Sequence, residues 1–152
     1  PAEVNPHQED SDGDGIGDAC ELLPDNCAEA QPICPGTFTG NNEDATNDGS
    51  SSCSPFPNLN KDIWFSYTPA TSGAVTVDTC GSPFSPVYLS IHTGCPGSPA
   101  NEIACDGTSC SGAWGRVTFN AVGGQKYLIR LNGYAAFAVE YILNLSGPPC
   151  LE

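Results

Sequence analysis

Aspartates at positions 10, 12, 14 and 18, with Glu21 behind them, alternate with glycines at 13, 15 and 17 in the stretch DSDGDGIGDACE. Carboxylates at alternate positions can meet on one ion only where the backbone wraps tightly, and glycine permits that wrapping by reaching positive φ at little cost. A hard cation such as Ca²⁺ takes about six to eight oxygen ligands. On a twelve-residue calcium loop, Asp10, Asp12 and Asp14 take positions one, three and five. Gly15 falls at the sharp turn, and Ile16 offers its backbone carbonyl at seven. Asp18 falls at nine, and Glu21 supplies the closing carboxylate at twelve. A solvated acidic linker has no reason to place glycine and acid in this order. The expectation is therefore a Ca²⁺ site, with Ca²⁺ as the cofactor.

The flanks are not those of a helix–loop–helix hand. Pro1 and Pro6 precede the loop, and Pro24 follows it closely. Asp10 to Cys20, followed by Asp25-Asn26-Cys27, instead resembles a thrombospondin type 3 repeat, in which DxDGDGxxDxC units end in a cysteine and a DNC segment opens the next unit. The resemblance covers residues 10–27. It implies extracellular calcium binding with little regular secondary structure.

Other chemistry is less well supplied. No GxSxG elbow marks a nucleophile. His92 follows an apolar run on its polar side and reads as an exposed edge residue rather than a base. The glycines at 13, 15 and 17 cannot cradle phosphate, because no strand or helix frames them and the acids would repel it. Trp64, Trp114 and Tyr134 could form a sugar platform. Trp64 faces away from its strand's apolar side, so the other sheet or a loop could cover it. Trp114, in a Gly/Ser loop, is the better candidate for ligand binding, although core or loop packing is the commoner role for such residues. Asn144 opens a lone N-glycosylation sequon within an expected strand.

The 152 residues suit one domain plus an appendage. Eighteen acids against four bases give a formal net charge of −14, and twelve of those acids lie in residues 1–48. That balance argues against nucleic acid and anionic membranes as partners. It also calls for cations to offset self-repulsion. No stretch approaches the ~20 apolar residues of a membrane span. No signal-peptide pattern opens the sequence, which reads as a mature product or a fragment.

Nine cysteines stand at 20, 27, 34, 53, 80, 95, 105, 110 and 150, none in a CxxC pair. Only His7 and His92 could complete a zinc set. Such scatter in a Gly/Ser/Thr/Pro-rich chain reads as at least three disulfides, hence an oxidising, extracellular setting. Cys95 and Cys105 bracket a Gly/Pro-rich loop and form the best local pair. An odd count leaves one cysteine free or bonded outside the chain.

The elements that must carry these residues are strands. Residues 1–26 are acidic and poor in apolar side chains, an arm that burial alone cannot fold. From Thr37 onward the pattern has period two. Ile63, Phe65 and Tyr67 share one face, as do Val75 and Val77, then Val87, Leu89 and Ile91. Val117, Phe119 and Ala121 follow, then Tyr127, Ile129 and Leu131, and then Phe137, Val139, Tyr141, Leu143 and Leu145. A weaker strand is expected near Thr37–Thr39. Val122-Gly123-Gly124-Gln125 reads as a hairpin with a primed turn. The polar stretches 40–60 and 93–115 are long for hairpin loops. Seven to eight strands of this kind predict an all-β protein: an antiparallel β-sandwich or jelly roll over 27–152, with an irregular arm at 1–26.

CAEAQPICPGTFTG, ATNDGSSSC, DIWFSYTP, GAVTVDTCGS, LSIHTGCPG, IACD and YLIRLNGY, in that order, resemble the prepeptidase C-terminal-like β-sandwich modules of secreted bacterial surface proteins of planctomycete type. The resemblance covers about residues 27–146 and implies a noncatalytic appendage of a larger secreted protein. It also suggests a Cys27–Cys150 clamp across the two ends of the sandwich. Cys34 has no counterpart in that pattern. Ser85-Pro86 and Asp106-Gly107 stand where such modules often carry acids, so no second calcium site is expected within the sandwich.

Together these readings predict a noncatalytic extracellular structural module. Its partners would be neighbouring copies or domains of one surface layer, stalk or filament. The competing reading is an adhesive or carbohydrate-binding accessory domain of a secreted enzyme, using Trp114 to hold glycans.

Overall fold

The computed structural model describes residues 26–43, 45–54, 61–83, 86–112, 114–133 and 139–151. The calcium-loop residues Asp10 to Glu21, together with Cys20, Tyr134 and Phe137, lie outside them.

Among the described residues, nine strands follow a short 3₁₀ turn at Cys27–Glu29: β1 (Gln31–Pro32), β2 (Gly36–Asn41), β3 (Ile63–Tyr67), β4 (Gly73–Asp78), β5 (Tyr88–His92), β6 (Glu102–Asp106), β7 (Arg116–Ala121), β8 (Tyr127–Asn132) and β9 (Glu140–Ser146). They form a five-stranded sheet, β1-β3-β8-β5-β6, and a four-stranded sheet, β2-β9-β4-β7. The antiparallel pairs β2–β9, β3–β8, β4–β7 and β5–β6 nest inside one another. This is a long hairpin folded over itself, the jelly roll expected from the strand pattern. Two-residue β1 adds a short parallel edge to β3.

The alternation of period two sets what fills the space between the sheets. Ile63, Phe65, Tyr67, Val75, Val77, Leu89, Ile91, Val117, Tyr127, Ile129, Leu131, Tyr141, Leu143 and Leu145 are all buried there. Phe65 meets Tyr141 edge-on across the sheets, with ring centroids 6.0 Å apart. Each of the six expected segments is a strand, and the weak one near Thr37 is β2. Two strands carried no signal, the two-residue β1 and β6. β6 is an edge strand with Ile103 46% exposed, so its sequence EIACD shows no alternation.

The glycine pair at 123–124 does turn the chain, with the Gln125 amide bonded to the Val122 carbonyl at 3.1 Å. It does not make a hairpin, because β7 and β8 belong to different sheets. Only Gly124 has positive φ, +84°, whereas a primed type I′ turn needs it at both central residues. The unprimed corner docks on the β3–β4 corner instead. Gly124 N–H donates to the Pro69 carbonyl (2.7 Å) and Gly123 N–H to Ser72 Oγ (2.9 Å).

Four disulfides hold the body: Cys27–Cys95, Cys34–Cys150, Cys53–Cys105 and Cys80–Cys110. They replace both expected pairings. Cys105 lies opposite Ser90 in the β5–β6 register, beside the 50–54 loop, so its partner is Cys53. Cys95 sits in the loop that folds over Trp64 and reaches Cys27. Cys150 is carried to β3 by the Leu151 N–H bond to Thr68 (2.9 Å), beside residue 33, and so meets Cys34.

Candidate functional site

The five-stranded sheet has a second buried face. Trp64 and Ser66 on β3, Ser90 and His92 on β5, and Leu128, Arg130 and Asn132 on β8 point away from the core, yet all are buried. Two loops seal them. Residues 45–54 and 93–101 meet where the Ser50 N–H donates to the Gly97 carbonyl (3.0 Å). They close on Trp64 so tightly that a Cβ at Gly97 would stand 2.0 Å from its ring, and one at Gly49 2.7 Å. Disulfides 27–95 and 53–105 pin the same loops. Trp64 is thus covered by loops rather than by the other sheet, and its indole N–H is buried without an acceptor among the described residues.

Beneath the loops lies a buried ion pair. Arg130 Nε stands 2.7 Å from Asp62 Oδ2, with neither side chain exposed. The rest of the guanidinium donates to Ser51 Oγ (3.2 Å), Asn132 Oδ1 (2.9 Å) and the Gly49 carbonyl (3.1 Å). Asp62 also accepts the Asp48 and Gly49 amides at 2.9 and 3.0 Å. Burial pushes the Asp62 carboxyl above its ordinary value, while Arg130 and these amides pull it back. Burial lowers Arg130, and Asp62 opposes that. A buried pair is tolerable when its remaining donors and acceptors are satisfied, as they are here.

His92 is the site's correction to the sequence reading. β5 lies between β8 and β6, and His92 is fully buried rather than exposed at an edge. Its Nδ1 faces Asn101 Oδ1 (2.9 Å) and the Ser98 carbonyl (3.1 Å), both acceptors, so Nδ1 carries the proton. Nε2 then accepts from Ser90 Oγ at 2.8 Å. Burial lowers the imidazole below its ordinary value, against the pull of Asn101, Glu102 and Ser98. Ser90, His92 and Asn101 have the connectivity of a nucleophile, base and orienting group. Ser90 is only 1% exposed, however, and His92 is fully buried. In this arrangement the three residues fasten loop 93–101 to the sheet.

Trp114 is half-buried and packed against the core. Its backbone pairs with Cys110 in both directions, at 3.0 and 3.2 Å. Its side chain is thus partly covered by packing on the core and partly open.

Where the arm meets the body, the Cys27 N–H donates to Asp48 Oδ2 at 2.5 Å, and Cys27, buried, is bridged to Cys95. A shallow cleft of about 380 Å³ opens there between Asn26, Cys27, Ala28, Glu29, Asp48, Cys95 and Pro96. Among the described residues, no three His, Cys, Asp or Glu side chains converge as a metal site would need. No helix among them is long and apolar enough to cross a membrane.

No protein-family model and no curated protein matches the chain. Solved structures similar to it include the following two. One is PliG, a periplasmic inhibitor of g-type lysozyme from Aeromonas hydrophila, with TM-score 0.49 and 15% identity over 77% of this chain and 94% of that one. The other is the pre-peptidase C-terminal domain of a collagenase from Bacillus anthracis, with TM-score 0.52 and 15% identity over 77% of this chain and 94% of that domain. This second likeness bears out the β-sandwich fold implied by the prepeptidase-type sequence resemblance.

Proposed function

We propose that this chain is a noncatalytic extracellular module in which a calcium-binding arm is fastened to a disulfide-locked sandwich and links it to neighbouring copies or domains of a surface layer, stalk or filament. The observation that carries this reading is the anchorage of Cys27. The residue that ends the thrombospondin-like pattern is buried, bridged to Cys95 and bonded to Asp48. An ion that ordered residues 10–21 would therefore act on a segment fixed to the body a few residues later. Asp10, Asp12, Asp14, the Ile16 carbonyl, Asp18 and Glu21 are the residues that would hold it. Four disulfides favour an oxidising compartment. The pre-peptidase C-terminal domain it resembles in fold is part of a larger collagenase, which fits an accessory role.

Calorimetric titration with Ca²⁺ tests the arm. Sites of this extracellular kind bind at roughly 10⁻⁴–10⁻³ M. The expected result is binding in that range, abolished by Asp12→Ala with Asp14→Ala. Absence of binding, or binding that survives the double substitution, refutes the calcium reading. Retention on a glycan array, lost with Trp114→Ala, would replace it by the carbohydrate-binding alternative.

A further inference from the structure

Three of the bridges have backbone groups near their sulfurs. The Gly94 carbonyl lies 3.7 Å from Cys27 Sγ, the Ile33 carbonyl 3.2 Å from Cys150 Sγ, and the Cys53 amide 3.3 Å from Cys105 Sγ. The fourth has a cation. Arg116 Nη2 stands 3.2 Å from Cys80 Sγ and 3.6 Å from Cys110 Sγ. In a chain of net charge −14 with four basic residues, this placement bears directly on reactivity. Disulfides are opened by thiolates, which are anions, and the displaced sulfur also leaves as an anion. An acidic surface repels the first and destabilises the second, and a guanidinium against both sulfurs reverses both effects. Arg116 is also solvent-accessible, its side chain 49% exposed, and its guanidinium stands 3.9 Å from the Asp78 carboxylate.

The surrounding loops do not depend on the bridge for their positions. Thr79 N–H donates to the Gly115 carbonyl (2.9 Å), and Gly115 N–H returns a bond to Thr79 Oγ1 (3.0 Å). Asp106 accepts the Ser109 and Arg116 amides, both at 2.9 Å. Asp78 accepts the Cys80 amide at 3.1 Å. These bonds tie the Cys80 and Cys110 turns together whether or not the sulfurs are joined.

We propose that Cys80–Cys110 is a thiol–disulfide exchange site, opened by small anionic thiols of the glutathione class. Cys80 is half-buried and Cys110 only 8% exposed, so the attack falls on Cys80 Sγ. The incoming thiolate forms a bond to Cys80 Sγ as the Cys80–Cys110 bond breaks. The electron pair goes to Cys110 Sγ, which leaves as a thiolate beside Arg116. One disulfide is consumed and one mixed disulfide formed, with no net oxidation. Attack by Cys110 on the mixed disulfide restores the bridge and releases the small thiol. Attack by a second thiol on the bound small-thiol sulfur instead gives reduced Cys80 and the oxidised small thiol. This proposal is independent of the calcium arm.

The test exposes the intact chain to glutathione under native conditions, quenches with acid at intervals, and maps alkylated and glutathionylated cysteines by peptide mass spectrometry. The expected result is that Cys80 carries glutathione before any other cysteine of the four bridges. Arg116→Gln should slow that step about tenfold while leaving the other three bridges unchanged. Arg116→Lys should retain most of the rate. Opening of another bridge first, or an unchanged rate in Arg116→Gln, overturns the proposal. Should Arg116→Gln loosen every bridge, the wild-type chain still decides. At about 1 M salt the Debye length falls to about 3 Å. The rate at Cys80, relative to the other bridges, must then drop, and a constant ratio overturns the proposal as well.

Discussion

Arg130 and Asp62 face each other at 2.7 Å across two elements 68 residues apart in sequence, and water reaches neither side chain. Their pairing joins β8 to the residue just before β3, and the same atoms fix the Gly49 backbone that covers Trp64. Removing one partner leaves a buried, unpaired charge. Asp62→Ala or Arg130→Ala should therefore destabilise the oxidised protein by about 3–5 kcal/mol, read from denaturant midpoints. Asp62→Leu combined with Arg130→Met should recover most of that loss, because an apolar pair avoids the uncompensated charge. A loss below about 1 kcal/mol in the single variants would show that the pair is not sealed.

His92 gives the fold a pH dependence of defined sign. The imidazole is neutral in the folded state and lowered by burial from its ordinary value of 6.5. Above that value, folded and unfolded chains bind the same number of protons there, and the stability is fully present. As pH falls below 6.5 the unfolded chain takes up a proton that the folded chain refuses, so stability drops by up to about 1.4 kcal/mol per pH unit until the lowered folded value is reached. Arg130 adds to the refusal and Glu102 opposes it. Denaturant midpoints should decrease from about pH 7 to pH 5, with a smaller decrease in His92→Gln. Equal slopes in the two proteins would place the titration elsewhere.

The strands were legible because alternation reports one face at a time. Ile63, Phe65 and Tyr67 name the core side of β3 without ambiguity. The same logic misreads the other side. Ser90, His92, Arg130 and Asn132 look like a solvated face; only Trp64 among them suggested a cover, and nothing in the alternation says that two loops supply it. The loops themselves, 45–54 and 93–101, have no period to read. The signal that could have exposed the layer was chemical: an arginine and an asparagine alternating with Ile129 and Leu131, and an aspartate just before Ile63. Disulfide connectivity was illegible for a related reason. Cysteine spacing suggested Cys95 with Cys105, but strand register places Cys105 on β6 and the loop fold carries Cys95 over Trp64 to Cys27.

The bridges make a prediction about the cysteine that remains. Eight of the nine cysteines form the four pairs, which leaves Cys20. Peptide mapping without reduction should recover the four pairs, and the denatured monomer should titrate with one thiol, lost in Cys20→Ser. Cys20 recovered in a bond to any of the other eight would refute the pairing. Among the pairs, Cys34–Cys150 closes the longest loop, with a separation of 116 residues. Its removal by paired Cys→Ala substitutions should cost about 3–5 kcal/mol, more than removal of Cys80–Cys110, whose separation is 30.

The proposed assembly depends on where the arm is tied. Cys20 lies seven residues before the buried Cys27, so its sulfur can reach at most about 25 Å from that anchor. A calcium loop held this close to the body can take a missing oxygen ligand from a neighbouring copy. Such a contact is heterologous, and it propagates into a filament unless the rotation closes a ring. Calcium that binds only the ordered arm adds about 2.7 kcal/mol at a hundredfold excess over its Kd. This is enough to shift a weak association by about two decades when the ion site is completed only between copies. Light scattering at several protein concentrations should show growth in millimolar Ca²⁺ that chelator reverses and that Asp12→Ala with Asp14→Ala removes. Cys20→Ser separates covalent from calcium-dependent growth. A particle that stays monomeric at high concentration in millimolar Ca²⁺, while calorimetry still reports binding, would mean that the arm closes its shell within one chain and serves as a rigid tether between tandem domains.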